Sequence, residues 1–364
     1  MIFQLRYLKD KLHAGAAKEM QGVYPEGFVF LNVLYGLSWI EVAESISAKN
    51  ELFEEAHSEI NWVLSELASE DGFRVFEPNL DPAFGVFYKG WTNYLLGRKL
   101  KLIPAVQRDS IELLRFRSTT EEIVSALTSQ ESPFLESYSR LCWPADMVVA
   151  MASVSLSSRL GERSYEKEIA NWLEEVKAKT DSLGLIPHSS EWGSGLPREP
   201  ARGSSQSLIL VFLFEIDEAF AREQFAIYKQ NFLDYRFGLP GLREYPEGMD
   251  QDLVGDIDSG PVIWGIGGAA SLVGQKTMAI YGESAVAIGI RNSIETFGLG
   301  NSRKGKKSYL MGKLPIADAF IAWSNSSEAY EEDRLTSKKL WRMKIQLISI
   351  CIVLLGGFIV FRIW

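Results

Sequence analysis

The stretch CWPADMVVAMASVSL, residues 142–156, joins a short polar turn to a run that is apolar on nearly every face. Five other junctions rich in Gly, Pro and polar residues also precede apolar, helix-like runs. The six junctions begin at intervals of 55 to 60 residues, near Gly27, Gly85, Trp143, Gly203, Gly260 and Pro315. A constant period of this length is typical of repeated supersecondary units that bury their apolar faces against neighbouring units. We therefore predict six helical hairpins closed into one ring, with the six junctions gathered at one mouth.

The apolar periodicity assigns the chain to the all-α class. The first helix of each pair is apolar nearly all round, as in residues 147–156, which suits an inner ring buried on both sides. The second helix of several pairs is amphipathic, as in YEKEIANWLEEVKAKT, where Trp172, Leu173 and Val176 fall at helical spacing between charges. The predicted helices are 28–47, 52–69, 86–104, 119–129, 146–160, 164–179, 205–216, 217–234, 260–274, 283–297 and 315–324. The predicted fold is an (α/α)6 toroid followed by a C-terminal transmembrane helix.

Composition limits the class of protein. The 364 residues are 46% hydrophobic and 12% aromatic, which is ample for one large core and unlike a disordered chain. The net charge of -9 argues against nucleic acid as a partner, because phosphate-backbone binders need a basic face. Only two cysteines occur, so no disulfide framework is expected.

The C-terminus carries the clearest membrane signal. Residues 345–361 form a run of 17 residues without a charge, at the lower limit for a helix that crosses a bilayer. Lys and Arg are more frequent before this run than after it, which by the positive-inside rule places the globular body in the cytoplasm. We expect a toroid domain at 1–325, a charged stalk at 326–344 and a single-pass membrane anchor at 345–364. The alternative for the apolar run is a buried core helix.

The segment Asp256-Ile257-Asp258-Ser259-Gly260-Pro261 is the strongest candidate for chemistry. In an extended segment, alternation places Asp256 and Asp258 on the same side, at the mouth of the ring. Either acid is then a candidate general acid or base. The structural alternative is that one of them caps the helix that follows, since Pro261 marks a first turn.

The third and fourth junctions add further candidates. Asp146 falls in a predicted first turn, where the helix dipole favours a carboxylate, and Trp143 offers a stacking surface for a ring-shaped ligand. His188 lies among turn residues, and its ordinary pKa near neutrality suits proton transfer. Arg202 and Gln206, one turn apart, are candidates for binding a carboxylate or hydroxyl groups; alternatively, Arg202 forms a salt bridge with an acid of a neighbouring junction.

The predicted catalytic residues are therefore Asp256, Asp258, Asp146 and His188, and five further residues complete the predicted set of binding residues. Glu26, Trp91, Asn93, Glu244 and Tyr245 resemble a sugar-binding lining, in which aromatic faces stack and polar groups read hydroxyls, although the same residues are common in helix packing. The sixth junction, KLPIADAF with Asp318, is expected mainly to close the ring. No metal site and no cofactor are predicted, because ligand-like histidine spacing, a Walker loop and a nucleophile elbow are missing from the sequence.

Six hairpins at this period, with CWPAD, RGSSQ and DIDSGP at the mouths, resemble the α/α-toroid superfamily over roughly residues 20–325. That superfamily includes six-hairpin glycosidases and linalool dehydratase-isomerase-like domains, and the chain is most similar to bacterial toroids that carry a membrane anchor. The glycosidase resemblance implies paired Asp or Glu acting on a sugar in a central funnel. The dehydratase-isomerase resemblance implies cofactor-free proton transfer on a terpenoid alcohol. That family uses paired active-site cysteines, whereas residues 1–325 of this chain contain only Cys142.

Three functions follow from these observations. The first is a membrane-anchored enzyme that uses paired carboxylates for hydrolysis or elimination on a hydroxyl-rich small molecule or a glycan unit. The second is a hydro-lyase that acts on an apolar alcohol delivered from the bilayer, which a funnel lined by Phe, Met and Leu would favour. The third is a non-catalytic, membrane-tethered binding scaffold, which is favoured if caps and salt bridges consume the acids at the junctions.

Overall fold

The computed structural model of the protein describes residues 1–47, 49–236, 238–249, 255, 259–326, 347, 349–356, 358 and 362. Contacts divide the chain into two compact units, Met1–Ser327 and Glu328–Trp364. The structure is predominantly helical, as predicted. The α-helices of the first unit are α1 (Ile2–His13), α2 (Ala16–Gln21), α3 (Gly27–Ser45), α4 (Glu51–Leu67), α5 (Glu70–Phe73), α6 (Gly85–Leu102), α7 (Ser110–Thr128), α8 (Pro144–Arg159), α9 (Glu166–Lys177), α10 (Gly203–Ile216), α11 (Glu218–Phe232), α12 (Gly268–Ile280), α13 (Ser284–Phe297) and α14 (Pro315–Asn325).

Short antiparallel hairpins decorate the loops in the described part of the chain. The strands pair as β1 (Ser189–Ser190) with β2 (Pro197–Glu199), β3 (Leu233–Arg236) with β4 (Leu239–Leu242), β5 (Val262–Ile263) with β6 (Ile266–Gly267), and β7 (Asn301–Arg303) with β8 (Lys306–Ser308). All of these strands precede α10, α12 or α14, so they shape the loops that lead into these three helices.

Six helices, which we call the inner helices, contact one another in cyclic order. Helix α3 packs on α6, α6 on α8, α8 on α10, α10 on α12, α12 on α14, and α14 returns to α3. The helices α4, α7, α9, α11 and α13 each pack on the inner helix that precedes them, and α1 packs on α14. This arrangement is compatible with the expected α/α toroid.

The inner helices are buried over more of their surface than the outer helices, as their sequences indicate. Helix α8 has 16 residues, and all but three of them are buried. In the amphipathic helix α9, only the stripe of Trp172, Leu173 and Val176 is buried. Close approach between inner helices depends on small residues: a Cβ added at Gly90 of α6 would lie 3.0 Å from Ala150 of α8.

The inner helices run in the same direction. Near their starts, the rings of Phe30 in α3 and Phe87 in α6 have centroids 5.1 Å apart. Ser207 in the second turn of α10 donates a hydrogen bond to the carbonyl of Ala270 at the start of α12, over 3.0 Å. We call the end formed by these starts, and by the loops that precede them, the mouth.

An ionic network, which we call the floor, joins the opposite ends of the inner helices. Arg98 of α6 pairs with Glu44 of α3 at 2.9 Å and lies 3.7 Å from Glu215 of α10. Arg159 of α8 reaches Glu215 at 3.4 Å, and Lys276 of α12 pairs with Glu41 of α3 at 2.9 Å. Partly buried pairs of this kind fix the register of neighbouring helices.

Aromatic rings fill the space between the mouth and the floor. Phe30 contacts Trp91 at 5.4 Å and Phe320 at 5.8 Å between ring centroids. Phe212 contacts Trp91 at 5.3 Å and Trp323 at 5.9 Å. These five residues, the aromatic cluster, come from α3, α6, α10 and α14, so the centre of the cycle is a packed core.

The structure differs from the predicted helices in three places. Helix α12 begins at Gly268 and not at 260, because residues 262–267 form the β5–β6 hairpin. Helix α7 begins at Ser110 and not at 119, because Asp109 caps it by accepting hydrogen bonds from the backbone of Ile111 and Glu112, both at 2.9 Å. Helices α1, α2 and α5 were not predicted, and α1 supplies the outer partner of α14.

Among the described residues, one helix is long and apolar enough to cross a bilayer by length and composition, namely α3, Gly27–Ser45. It lies near the N-terminus, and 83% of its most apolar window is buried inside the protein. Its composition equally fits an anchor or a signal sequence, but its place in the cycle of inner helices explains its apolar character. The predicted anchor at 345–364 lies partly outside the described residues. Within it, residues 349–356 are described, and they are helical and exposed.

Candidate functional site

Four chain segments meet at the mouth around the start of α10. Arg202 directly precedes α10, and the backbone N–H of Gly203 donates to the carbonyl of Glu244 over 2.8 Å. Glu244 follows β4, and its own N–H donates to the carbonyl of Gly265 in the β5–β6 hairpin, over 3.0 Å. The loop that carries His188 is tied to the segment before α10, because the backbone N–H of His188 donates to the carbonyl of Glu199 in β2 over 3.1 Å. This convergence, which we call the mouth cluster, comprises His188, Arg202, Ser204, Ser205 and Glu244.

A buried ion pair holds the cluster together. The Nε of Arg202 donates to Glu244 Oε1 over 2.9 Å, and the two side chains are 8% and 0% exposed. Ser204 donates to the same carboxylate oxygen over 2.7 Å, and the Arg202 guanidinium lies 5.3 Å from the centroid of the Tyr245 ring. Burying two charges costs several kcal/mol per ion unless such extra bonds satisfy them. The sequence left two roles open for Arg202, namely binding a ligand or forming a salt bridge with an acid of a neighbouring junction. The structure shows the salt bridge.

His188 is held between this ion pair and a hydroxyl group. Its Nδ1 lies 3.2 Å from Ser205 Oγ, and its Nε2 lies 3.4 Å from a terminal nitrogen of Arg202. A guanidinium has only donors, so the Nε2 that faces it acts as an acceptor and the proton of the neutral ring sits on Nδ1. Ser205 Oγ accepts that proton's hydrogen bond while it donates to the carbonyl of Arg202 over 3.1 Å. In the neutral ring with this tautomer, Nε2 is the acceptor nitrogen, which is the position that a general base uses.

Asp146 occupies the first turn of α8, as predicted from the third junction. Its side chain is buried, and Oδ2 accepts a hydrogen bond from Ser137 Oγ over 2.5 Å. Trp143, three positions before Asp146, is half-buried, and its ring meets the ring of Tyr138 edge-on with centroids 5.9 Å apart. The carbonyl of Cys142 accepts from the N–H of Ser190 over 3.0 Å, so the third junction adjoins the loop of His188.

Cys142 is a structural thiol. It is buried, and burial together with the charge of Glu136 raises the pKa of its thiol to about 12. A thiol that remains protonated at neutral pH is a poor nucleophile. The residue therefore contributes packing at the third junction.

Three of the predicted binding residues are enclosed by helix packing. Trp91 is 0% exposed within the aromatic cluster, and Gln206 is 0% exposed and donates to the carbonyl of Ile186. Asn93 is 1% exposed, and its amide donates to Thr120 over 3.0 Å and to Ser153 over 3.2 Å. Trp91 and Asn93 join neighbouring helices, and Gln206 joins α10 to the loop that carries His188, so none of the three side chains is exposed at the mouth surface.

The remaining predicted residues lie at the mouth or outside the described chain. Glu26 directly precedes α3 and is half-buried. Asp256 and Asp258 lie outside the described residues. The residue that follows them, Ser259, is buried, and its carbonyl accepts from the N–H of Ala269 over 3.1 Å at the start of α12.

The most unusual described acid is Asp318, to which the sequence assigned only the closing of the ring. Its carboxylate is buried, with Oδ1 accepting from the N–H of Tyr309 over 3.0 Å and from Gln4 over 3.2 Å. Its Oδ2 is buried without a hydrogen-bond partner, and burial raises its pKa to about 7. The contact with Gln4 joins α14 to its outer partner, α1. No pattern in the sequence indicated its altered acidity, because burial depends on α1, which was not predicted.

A cleft of about 480 Å³ lies away from the mouth cluster, between α4, α6 and α7. It is polar, and at its wall the buried Lys99 pairs with Glu112 over 2.5 Å. In the part of the chain that the structure describes, no three His, Cys, Asp or Glu side chains are grouped to hold a metal ion. The cleft offers hydrogen-bonding side chains, among them His57, Asn61 and Ser65.

Comparison with known proteins does not assign the chain to a family. No protein-family model matches the chain, and no curated protein matches it.

Proposed function

We propose that the protein is a membrane-anchored (α/α)6 toroidal enzyme that performs acid-base hydrolysis or elimination on a hydroxyl-bearing small molecule or glycan unit, without a cofactor. The observation that carries the proposal is the position of His188, which the buried Arg202–Glu244 pair and Ser205 hold at the mouth. The cyclic contacts of the inner helices support the toroidal fold.

His188 is the proposed general base. Its Nε2 contact to Arg202 is long at 3.4 Å, so a substrate or water hydroxyl can replace it at small cost. In a hydrolysis, Nε2 takes a proton from the attacking water while an acid gives a proton to the leaving oxygen. In an elimination, Nε2 takes a proton from the carbon beside the hydroxyl-bearing carbon, and the acid protonates the hydroxyl, which leaves as water.

The proposed acids are Asp256, Asp258 and Asp146. Two carboxyl groups in unequal environments divide acid and base roles, and a buried carboxyl is the more readily protonated one. Asp146 is buried and accepts a hydrogen bond from Ser137, so its environment differs from that of an exposed carboxyl group. Glu244 has another role, because its ion pair with Arg202 keeps the guanidinium next to the imidazole. Glu26, Trp143 and Tyr245 are the proposed binding groups at the surface.

A hydro-lyase acting on an apolar alcohol is the second candidate. The amides of Asn93 and Gln206 are buried in contacts within the protein, which removes two of the groups expected to bind sugar hydroxyls. The interior beneath the mouth is aromatic, with half-buried Phe30 and Phe320 in contact at 5.8 Å. An apolar substrate would suit this surface better than a sugar.

The proposed location rests on the sequence. The charge-free run at 345–361 is the proposed single-pass anchor, and the excess of Lys and Arg before it supports a cytoplasmic body. The bilayer is then the expected partner, through the C-terminal helix.

The test is a mass-spectrometric survey of full-length protein in lipid vesicles, with aryl glycosides and monoterpenoid alcohols as probes. A product that differs from its probe by the gain or loss of one water is expected for the wild type. His188→Gln and the double variant Asp256→Asn with Asp258→Asn should each lower its rate by about 100-fold or more. Glu218→Gln, on the exposed face of α11, is the matched control and should retain full activity.

Two results would contradict the proposal. One is full activity in both His188→Gln and the double variant while circular dichroism shows an intact fold. The other is a wild type that turns over no probe of either class but binds a membrane partner, which would favour the scaffold.

A further inference from the structure

Large apolar side chains are exposed around the mouth. Trp192 and Leu196 are 53% and 48% exposed, and Trp264 and Met311 are 65% and 68% exposed. Exposed apolar residues that occur singly need no explanation, but a group of them on one end of a domain marks an interaction surface. We define the apolar rim as Trp192, Leu196, Ile263, Trp264, Met311 and Leu314, all of which are exposed.

All six rim residues lie in loops that lead into inner helices. Trp192 and Leu196 precede α10, Ile263 and Trp264 precede α12, and Met311 and Leu314 precede α14. Since the inner helices are parallel and start at the mouth, these loops belong to the same end of the domain.

The backbone holds two of these side chains in a conformation that their residue types disfavour. Trp264 has a φ of 51° and Met311 a φ of 57°, both in the left-handed region. Trp264 and Gly265 connect β5 to β6, in a two-residue turn for which Asn-Gly is the favoured sequence. A bulky tryptophan is disfavoured in this backbone conformation, yet the side chain of Trp264 is 65% exposed at the tip of the hairpin.

The chemistry of the rim fits a bilayer surface. Tryptophan is enriched where membranes meet water, because its ring is apolar and its N–H needs a polar partner. Arg140, whose guanidinium lies 5.6 Å from the Trp192 ring centroid, and the exposed Arg303 and Lys304 of the same end are suited to lipid phosphates. The charge-free run at 345–361 of the sequence supplies an independent reason for this chain to reside at a membrane.

We infer that the apolar rim docks on a phospholipid bilayer, so that the mouth of the domain opens toward the lipid. Exposed acids such as Glu191 and Glu247 lie at the same end, so docking depends on the insertion of apolar side chains and not on net charge. The inference deepens the proposed function, because it selects a substrate class: apolar alcohols that partition into the bilayer and reach the mouth cluster from it.

The experiment places one environment-sensitive fluorophore at a time on full-length protein reconstituted into phosphatidylcholine vesicles. The rim sites are Trp264→Cys and Met311→Cys, in a Cys351→Ser background that keeps the buried and protonated Cys142. The matched control is Val106→Cys, which is 95% exposed and follows α6 at the floor end. A fourth label at Ile352→Cys reports on the proposed anchor.

The rim labels are expected to shift to shorter emission wavelengths and to be quenched by lipid-borne quenchers several-fold more than the label at 106, at low and high salt alike. Equal quenching at the rim and at position 106 overturns the inference, even when the label at 352 is strongly quenched and the anchor therefore stands. A rim shift that appears without lipid and grows with protein concentration assigns the rim to a second copy of the chain, and also overturns it.

If the label at 352 is not quenched, the proposed anchor fails. The rim labels then decide the docking surface by themselves. The survey of probes remains the separate test of catalysis, so each part fails by its own measurement.

Discussion

Glu244 Oε1 accepts a hydrogen bond from Arg202 Nε over 2.9 Å, and neither side chain is more than 8% exposed. The two residues are 42 positions apart and belong to successive junctions. Their ion pair ties the start of α10 to the loops that lead into α12, and it also fixes the guanidinium that faces His188. The geometry of the mouth cluster therefore depends on the integrity of one buried pair.

Removing one partner of this pair should be costly. Glu244→Ala leaves a buried guanidinium without its carboxylate, and we expect the free energy of unfolding to fall by about 3–5 kcal/mol. Glu218→Ala is the matched control, because Glu218 pairs with Arg222 on the exposed face of α11, and it should cost less than about 1 kcal/mol. Chemical denaturation of full-length protein in detergent, followed by circular dichroism, measures both changes. Equal losses in the two variants would contradict the role assigned to the buried pair.

Asp318 should make stability depend on pH. Burial raises its pKa in the folded protein from 3.8 to about 7, so between these values the folded state binds more protons than the unfolded state. The free energy of unfolding contributed by this group is therefore highest at low pH, falls as pH rises through this window, and is constant above it. Asp318→Asn should remove that slope and, at pH 8, stabilise the protein by an amount on the order of a few kcal/mol.

Denaturation of the wild type and Asp318→Asn at pH 5 and pH 8 checks this. Glu59→Gln is the control, because the pKa of Glu59 in the folded protein is shifted in the opposite direction. Burial alone would raise the pKa of Glu59, but Lys9, His13 and Tyr35 lower it, so its stabilisation is present at neutral pH and lost on acidification. If the free energy of unfolding depends on pH identically in the wild type and in Asp318→Asn, the pKa of Asp318 is not raised in the folded protein.

Gly203 should not tolerate a side chain. A Cβ at this position would overlap with the carbonyl oxygen of Arg243, so Gly203→Ala forces apart the start of α10 and the segment of Glu244. We expect a loss of about 1–3 kcal/mol or more, with a disturbed mouth cluster. Gly22→Ala, whose Cβ would meet only the carbonyls of Glu19 at 3.3 Å and Lys18 at 3.9 Å, should change stability by less than about 1 kcal/mol. A thermal unfolding scan of both variants distinguishes these outcomes.

Phe212 should be the most sensitive position of the aromatic cluster. Its ring contacts Trp91 and Trp323 and lies 4.9 Å from Tyr94, so Phe212→Ala empties the centre of the cycle and should cost about 3–5 kcal/mol. Phe297→Ala removes a ring that is 66% exposed and should cost less than about 0.5 kcal/mol. Similar denaturation midpoints for the two variants would mean that the centre is not a packed core.

The sequence predicted the inner helices well because their signal is local. Gly27, Gly85, Gly203 and Pro315 begin α3, α6, α10 and α14 as expected, since each ends a polar turn and opens an apolar run. Gly260 failed because Val262, Ile263 and Ile266 are as apolar as a helix, and the hairpin that they form is set by positive φ at Trp264 and Gly265. An apolar run of six residues does not distinguish a short hairpin from a first helical turn.

The site was less predictable, because its contacts join distant segments. Sequence alone indicated that Arg202 and Glu244 lie at the mouth and raised a salt bridge between junctions as one alternative. The burial of Asn93 and Gln206 could not be read from their neighbours, since polar residues near a helix start serve equally in ligand binding and in helix contacts. Asp256 and Asp258 lie outside the described residues, and their catalytic roles remain predictions.

The contact between Gln4 and Asp318 spans 314 positions of the chain. Because α1 packs on α14, the contact between the two helices forms only after both have been synthesised. Such long-range closure makes folding slow, and intermediates expose the faces that α1 and α14 later cover. A nascent chain therefore cannot pack α1 on α14 until the residues between these two helices have emerged.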